Sequence, residues 1–136
     1  MGEAEKVDLD KLKLGYEAVA DKDWDRVQIL YHEDIEWVDP PEIPDGGVHV
    51  GLEAVRESWS NYLEALEDWT VVPEEIVLSG DEILVRSRVT GTARIGGAPF
   101  DLELFQVWTA RDGKLVRHRG FLDRQAALAA AGLDPD

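Results

Sequence analysis

Three polar side chains on largely apolar, alternating segments are the candidates for chemistry. Ile35-Glu36-Trp37-Val38-Asp39 places Ile35, Trp37 and Asp39 on one face of a strand. If Trp37 points into a core, so does Asp39. An acid among apolar side chains is a stronger base than one in water, unless hydrogen bonds steady its charge. Such a base suits removal of a proton from an acidic C–H. The local alternative is that Asp39 opens the Pro40-Pro41 turn and bonds nearby backbone. In Leu115–Leu122, the set Val116, His118, Gly120 and Leu122 alternates with Arg117, Arg119 and Phe121. The arginines cannot enter an apolar cavity without a large desolvation cost, so His118 faces inward. It is an acid/base group there, or a core histidine with one nitrogen bonded to a neighbour. Gln106 shares a parity with Leu104, Trp108 and Ala110. Turned inward, its amide donates a hydrogen bond to a carbonyl or enolate oxygen; otherwise it is a cross-strand amide on a sheet.

The elements that must position these residues follow from hydropathy periods and turn signals. Leu9, Leu12, Tyr16, Val19 and Ala20 mark one face of a helix over Asp8–Asp21, with Asp8 as N-cap. Asp23 opens a second short helix with Trp24, Val27, Leu30 and Tyr31 inward. Ile35–Asp39 is a short strand stopped by two prolines. Pro40–Gly51 reads as an irregular loop, a candidate mouth or lid. Leu52, Val55, Trp59, Tyr62, Leu63 and Leu66 form a helical stripe over Leu52–Asp68. Strands follow at Trp69–Leu78, Ile83–Ile95, Phe100–Ala110 and Leu115–Leu122, joined by short turns. Asp123 caps a last helix over Arg124–Ala131, closed by Gly132. The order predicts an α+β fold, with three N-terminal helices and a short C-terminal helix against a strongly curved antiparallel sheet. The whole chain, 1–136, reads as one domain with an ordered core over about residues 9–133. A cone so closed leaves a ligand pocket.

Composition bounds the partners. The 136 residues carry a formal net charge of −15 and no cysteine. That charge repels phosphate backbones and anionic lipid, so neither nucleic acid nor a membrane is an expected partner. Thiolate metal sites, disulfides and a cysteine nucleophile are excluded. No apolar run is long enough for a membrane span, and the charged N-terminus is not a secretory signal, so the expected compartment is the cytoplasm. The histidines are His32, His49 and His118, without metal-ligand spacing. His49 with Asp39 and Asp45 is the one trio that could be drawn, and nothing in the spacing demands it. No metal or cofactor is expected. Arg86, Arg88, Arg117 and Arg119 should lie on exposed sheet faces and pair with acidic helices of a partner subunit.

Two segments carry a family resemblance. One is Tyr31-His32-Glu33-Asp34-Ile35-Glu36-Trp37-Val38-Asp39-Pro40 followed by Gly51-Leu52-Glu53-Ala54-Val55-Arg56. The other runs from Phe105-Gln106-Val107-Trp108 through Gly113-Lys114-Leu115-Val116-Arg117 to Asp123-Arg124-Gln125-Ala126-Ala127-Leu128. Together they resemble the SnoaL-like, polyketide-cyclase-like branch of the nuclear-transport-factor-2-like superfamily. The resemblance implies a conical α+β barrel with an apolar pocket, often dimeric through the sheet. It places Asp39 where ketosteroid isomerases keep their general-base aspartate, and Gln106 where they keep an oxyanion-holding acid. It also marks departures. The oxyanion tyrosine of the first helix falls at Gly15, with Tyr16 one place on and so about 100° round the helix. The aspartate that cyclases and epoxide hydrolases of this fold carry two residues beyond His118 is Gly120.

The expected function is a small-molecule pocket protein, isomerase- or cyclase-like, that removes a proton next to a carbonyl of an apolar cyclic substrate. Asp39 takes the proton, Gln106 and His118 steady the oxyanion, and Trp37, Trp59, Tyr62, Trp108 and Leu122 contact the substrate. The alternative is a non-catalytic binding module for an apolar ligand. A third possibility is an interaction protein whose sheet dimerises over a filled cone.

Overall fold

Side-chain caps start the helices where short polar residues precede apolar periods. In the computed structural model, which describes residues 2–43 and 46–134, the Asp8 carboxylate accepts from the N–H groups of Asp10 and Lys11. Helix α1 then runs Leu9–Ala20 behind a 3₁₀ turn at Glu3–Lys6. Asp23 caps α2, Trp24–Val27, and Asp123 caps α4, Arg124–Ala130. Each cap satisfies N–H groups that the first helical turn leaves unpaired. The third helix, α3, spans Leu52–Ala65. It ends earlier than the apolar stripe suggests, because Leu66 enters the next strand and pairs with Ala93. A register shift between Glu67 and Thr70, with Asp68 at φ 52°, marks the bulged start of that strand.

The strands are β1 Tyr31–Val38, β2 Val48–Val50, β3 Leu66–Ser79, β4 Glu82–Ala93, β5 Pro99–Arg111 and β6 Lys114–Phe121. They form one curved sheet in the order β2-β1-β6-β5-β4-β3. Two features differ from the sequence expectation. The sheet is mixed, because β1 runs parallel to β6 while every other pair is antiparallel. Alternation along a strand says which face a side chain takes, not which neighbour it pairs with. Part of the expected loop is also strand: Val48-His49-Val50 pairs with Glu36–Val38 at the edge of the sheet. Pro44 and Asp45, within the proposed lid, lie outside the described residues.

The concave face and the helices enclose the main core, from Leu12, Tyr16 and Val19 on α1 to Ile35, Val85 and Trp108 on the sheet. A smaller core lies on the opposite face, where Ala127, Leu128 and Ala131 cover Leu84, Phe105 and Val107. Leu128 is the largest of the buried residues that α4 contributes. Leu128→Ala is expected to cost about 2–5 kcal/mol, read as a lower urea midpoint with an unchanged slope.

Arginines on the rest of the outer face are ion-paired within the chain. Arg86 reaches Glu74 at 3.1 Å and Glu103 at 3.3 Å, and Arg88 reaches Asp101 at 2.7 Å. Arg117 meets Glu36 at 3.2 Å and Arg119 meets Glu82 at 3.5 Å. The four arginines do lie outward, and the acids they meet here come from other strands of their own sheet: adjacent strands for Arg86, Arg88 and Arg117, and β4, across β5, for Arg119. Cross-strand register supplies these acids at no cost in chain entropy beyond forming the sheet.

Candidate functional site

The concave face of the sheet, α1, α2 and α3 surround a cavity of about 440 Å³. Its wall is almost wholly apolar, with Asp39, Gln106 and His118 among its polar members. Trp37, Trp59, Tyr62, Trp108 and Leu122 also line it, so the structure brings all eight expected site residues to one space. Strand parity explains the placement. Trp37 sits beside His118 across the parallel pair, and His118 sits opposite Trp108 across the antiparallel one. The three rings therefore share the inner face, with Trp37 stacked on His118 at 3.7 Å.

Aromatic packing goes further than those residues. Tyr31 contacts both Trp37 and Trp108 with ring centroids 5.8 and 5.5 Å apart, and Trp24 packs on Trp59 at 5.5 Å. Tyr31, Trp24 and Trp69 line the cavity without having been singled out as site residues. The inward parity of Trp24 and Tyr31 was readable; their convergence on the same space as Trp37 was not.

Asp39 lies just past the end of β1, where its carboxylate is buried. Its Oδ2 accepts from the Gly47 N–H at 3.2 Å and pairs with His49 Nε2 at 2.9 Å. Its own N–H donates to the Gly47 carbonyl at 2.9 Å. The register explains the partner: Trp37 faces His49 across β1 and β2, so Asp39, two residues on, falls diagonally from His49 on the same face. A Cβ on Gly46 would lie 3.0 Å from Asp39 Cβ, so glycine there lets the loop close over the acid. Both sequence readings of Asp39 thus hold together. It faces the cavity, and it bonds the local turn. Oδ1 takes no hydrogen bond among the described residues. Tyr62, across the cavity mouth on α3, has its hydroxyl pKa raised by burial and then by the Asp39 charge.

The inner end of the cavity carries a connected set of neutral groups. Trp108 Nε1–H donates to Tyr16 Oη at 2.9 Å, and Tyr16 Oη–H donates to Gln106 Oε1 at 2.6 Å. Gln106 Nε2 meets His118 Nε2 at 2.9 Å. Burial raises the Tyr16 hydroxyl far above its ordinary pKa and pushes the His118 imidazole down to about 3. His118 is therefore a neutral acceptor for the Gln106 amide near neutral pH, not an acid/base group. Tyr16, set aside by its offset along α1, reaches the site through Gln106. Its inward parity with Leu12 and Val19 was the signal; its partner, 90 residues away, had none.

The glycine that replaces the expected second acid is also sterically fixed. Gly120 pairs with Gln106 across β5 and β6. A Cβ at Gly120 would fall 2.8 Å from Pro40 Cδ and 3.0 Å from Cγ. The proline ring cannot fold aside, so strand β6 or the Asp39-Pro40 corner would have to move. Gly120→Ala is expected to cost about 1–3 kcal/mol in urea unfolding, and Gly120→Asp more, instead of restoring a second acid.

Of the trio His49, Asp39 and Asp45, the first two meet, while Asp45 lies outside the described residues. Among the described residues no cluster of three or more His, Asp or Glu side chains could hold a metal ion. No described helix is long and apolar enough to cross a membrane.

Known structures share this architecture. An NTF2-like protein from Burkholderia xenovorans LB400 is 28% identical, covering 96% of this chain and 98% of its own, with a TM-score of 0.72. A candidate polyketide cyclase from Sinorhizobium meliloti is 25% identical, covering 82% and 93%, with a TM-score of 0.65. TerC, crystallised with polyporic acid, is 24% identical over 91% and 97%, with a TM-score of 0.74. No curated protein matches the chain in sequence. The SnoaL-like domain model matches residues 14–118, a range that includes Asp39, Gln106 and His118. The chain belongs to the SnoaL-like family, in the nuclear-transport-factor-2-like fold.

Proposed function

We propose that the protein binds an apolar, cyclic carbonyl compound and removes a proton from the carbon next to its carbonyl. The observation that carries this reading is the convergence of one buried acid, Asp39, and one buried amide, Gln106, on an otherwise apolar cavity of about 440 Å³. The substrate C–H bond breaks, its proton goes to Asp39 Oδ1, and its electron pair moves into an enolate whose oxygen accepts from the Gln106 amide. Return of the proton to a different carbon gives an isomer; attack of the enolate carbon on a second carbonyl of the same molecule opens that C=O π bond to an alkoxide, which takes the proton back from Asp39, and gives a ring. Trp37, Trp59, Tyr62, Trp108 and Leu122 hold the apolar body. His49 orients the carboxylate and His118 orients the amide. The SnoaL-like family and the likeness to a candidate polyketide cyclase support an isomerase- or cyclase-like role. A cytoplasmic homodimer paired through the outer face of the sheet completes the reading; a monomeric mass in light scattering removes the dimer.

The test is conversion of 3-cyclohexen-1-one, a small ketone whose double bond moves into conjugation after loss of the α proton. Wild-type protein should convert it and Asp39→Asn should not. Equal rates in both would end the proposal.

A binding module without turnover is the second reading. It is favoured by Gly120, whose neighbour Pro40 fills the space of a second acid, and by the Tyr16 hydroxyl, already donated to Gln106. A native mass spectrum of purified protein separates the two: a retained apolar compound that is never converted favours the module.

A further inference from the structure

The hydrogen-bond set at the inner end of the cavity has a direction, and the direction is fixed by its first member. An indole nitrogen can only donate, so Trp108 makes Tyr16 Oη an acceptor. The Tyr16 hydroxyl must then place its own hydrogen elsewhere. Its contact with Gln106 is 2.6 Å, a length ordinary for O–H···O and too short for N–H···O. The atom of Gln106 facing Tyr16 is therefore the carbonyl oxygen, and the amide nitrogen is turned to His118. That nitrogen lies 2.9 Å from His118 Nε2, which accepts from it, so the imidazole proton sits on Nδ1. Nδ1 is buried without a partner, the end of a chain that starts at an indole.

The amide nitrogen carries a second hydrogen. It has no acceptor among the described residues, and Gln106 lines the cavity. A glutamine free to turn could show a ligand either its oxygen or its N–H, and would accept ketones and alcohols alike. This one cannot turn without leaving the Tyr16 hydroxyl hydrogen without its acceptor, in a buried site where an unmade hydrogen bond is costly. We infer that Trp108 and Tyr16 act as specificity-determining residues: they hold the Gln106 N–H toward the ligand, where a hydroxyl can accept as a carbonyl does but leaves its own hydrogen unplaced, so the inner wall favours a carbonyl oxygen over a hydroxyl. This rests on the cavity being the ligand site, as proposed above. It names what the ligand must present at its inner end. Trp108 and Tyr16 do not touch that oxygen; they position the amide that does.

Two measurements test the inference on the full chain. Nitrogen-15 NMR of the wild-type imidazoles should show His118 as the neutral Nδ1–H tautomer, and the Nε2–H tautomer would overturn the chain's direction. Titration of 2-tetralone and 2-tetralol, followed by tryptophan fluorescence, should show the ketone binding about tenfold tighter than the alcohol of the same skeleton. In Tyr16→Phe, which frees the amide to turn, the two affinities should fall to within about twofold of each other. Equal affinities in the wild type, an undiminished preference in folded Tyr16→Phe, or binding of neither compound would each overturn the inference. The NMR measurement needs no variant, so a Tyr16→Phe protein that fails to fold leaves it decisive. The ratio reports binding and not turnover, so it stands apart from the fate of Asp39 as a base.

Discussion

Asp39→Asn is expected to lower the rate of 3-cyclohexen-1-one isomerisation about 10³-fold while leaving KM nearly unchanged. Asparagine keeps the size and shape of the carboxylate. Its carbonyl oxygen can still accept from the Gly47 N–H or from His49, which now hold Asp39 Oδ2 at 3.2 and 2.9 Å. The loop over the acid thus keeps its anchor. What asparagine lacks is a basic oxygen at the position of Oδ1. On the proposed reading ligand affinity comes from elsewhere, from the aromatic wall around Trp37, Trp59 and Trp108 and from the Gln106 amide, all of which line the cavity. Loss of the base should therefore appear in kcat alone. A parallel loss of affinity would show that Asp39 holds the ligand and does not take its proton. His49→Gln is the companion variant. Its amide nitrogen can reach Oδ2, so it should preserve the carboxylate's orientation better than His49→Leu, which removes the partner.

Acid should unfold the protein through His118, and replacement of that histidine should blunt the effect. In the folded chain burial pushes its pKa down to about 3, against an ordinary 6.5. The unfolded chain thus takes up a proton in this window and the folded chain does not. Stability contributed by neutral His118 is whole above pH 6.5, is lost progressively as the pH falls, and is gone below about 3. The slope in that window is about 1.4 kcal/mol per pH unit, before other groups are added. His118→Phe keeps a ring between Trp37 and Trp108 but carries no proton. It should be less stable than wild type at neutral pH, because the Gln106 N–H loses its acceptor. The gap should narrow as the pH drops. Urea midpoints of the two proteins across the window measure it. A gap that stays constant with pH would show that the buried imidazole is not what acid attacks.

How much of this was legible in the sequence depended on the range of the cause. Period-two alternation is a local property of the chain: it put Asp39 on one face with Trp37, turned His118 inward, and left the face of Gln106 and Trp108 open, and all five line the cavity. Side-chain caps are equally local, and Asp8, Asp23 and Asp123 each sit at a helix start. The family resemblance set the cone and its pocket. The edges of elements were less secure, because pairing overrides local pattern: Leu66 left the helix for β3, and Val48–Val50 left the loop for β2.

The chemistry of the site was decided at longer range. Parallel pairing of β1 with β6 puts Trp37 on His118, and packing there strips the imidazole of its proton. Register between β1 and β2 brings His49 to Asp39, an acid that parity alone left without a partner. Packing of α1 on the sheet carries Tyr16 to Gln106 and Trp108, where its hydroxyl donates to the amide oxygen. The Pro40 ring against Gly120 leaves no room for a second acid. Sequence determined which residues share a face, because that follows from bonds one and two residues away. Which of them touch, and in what protonation state, follows from contacts between distant segments, and those exist only once the chain has folded.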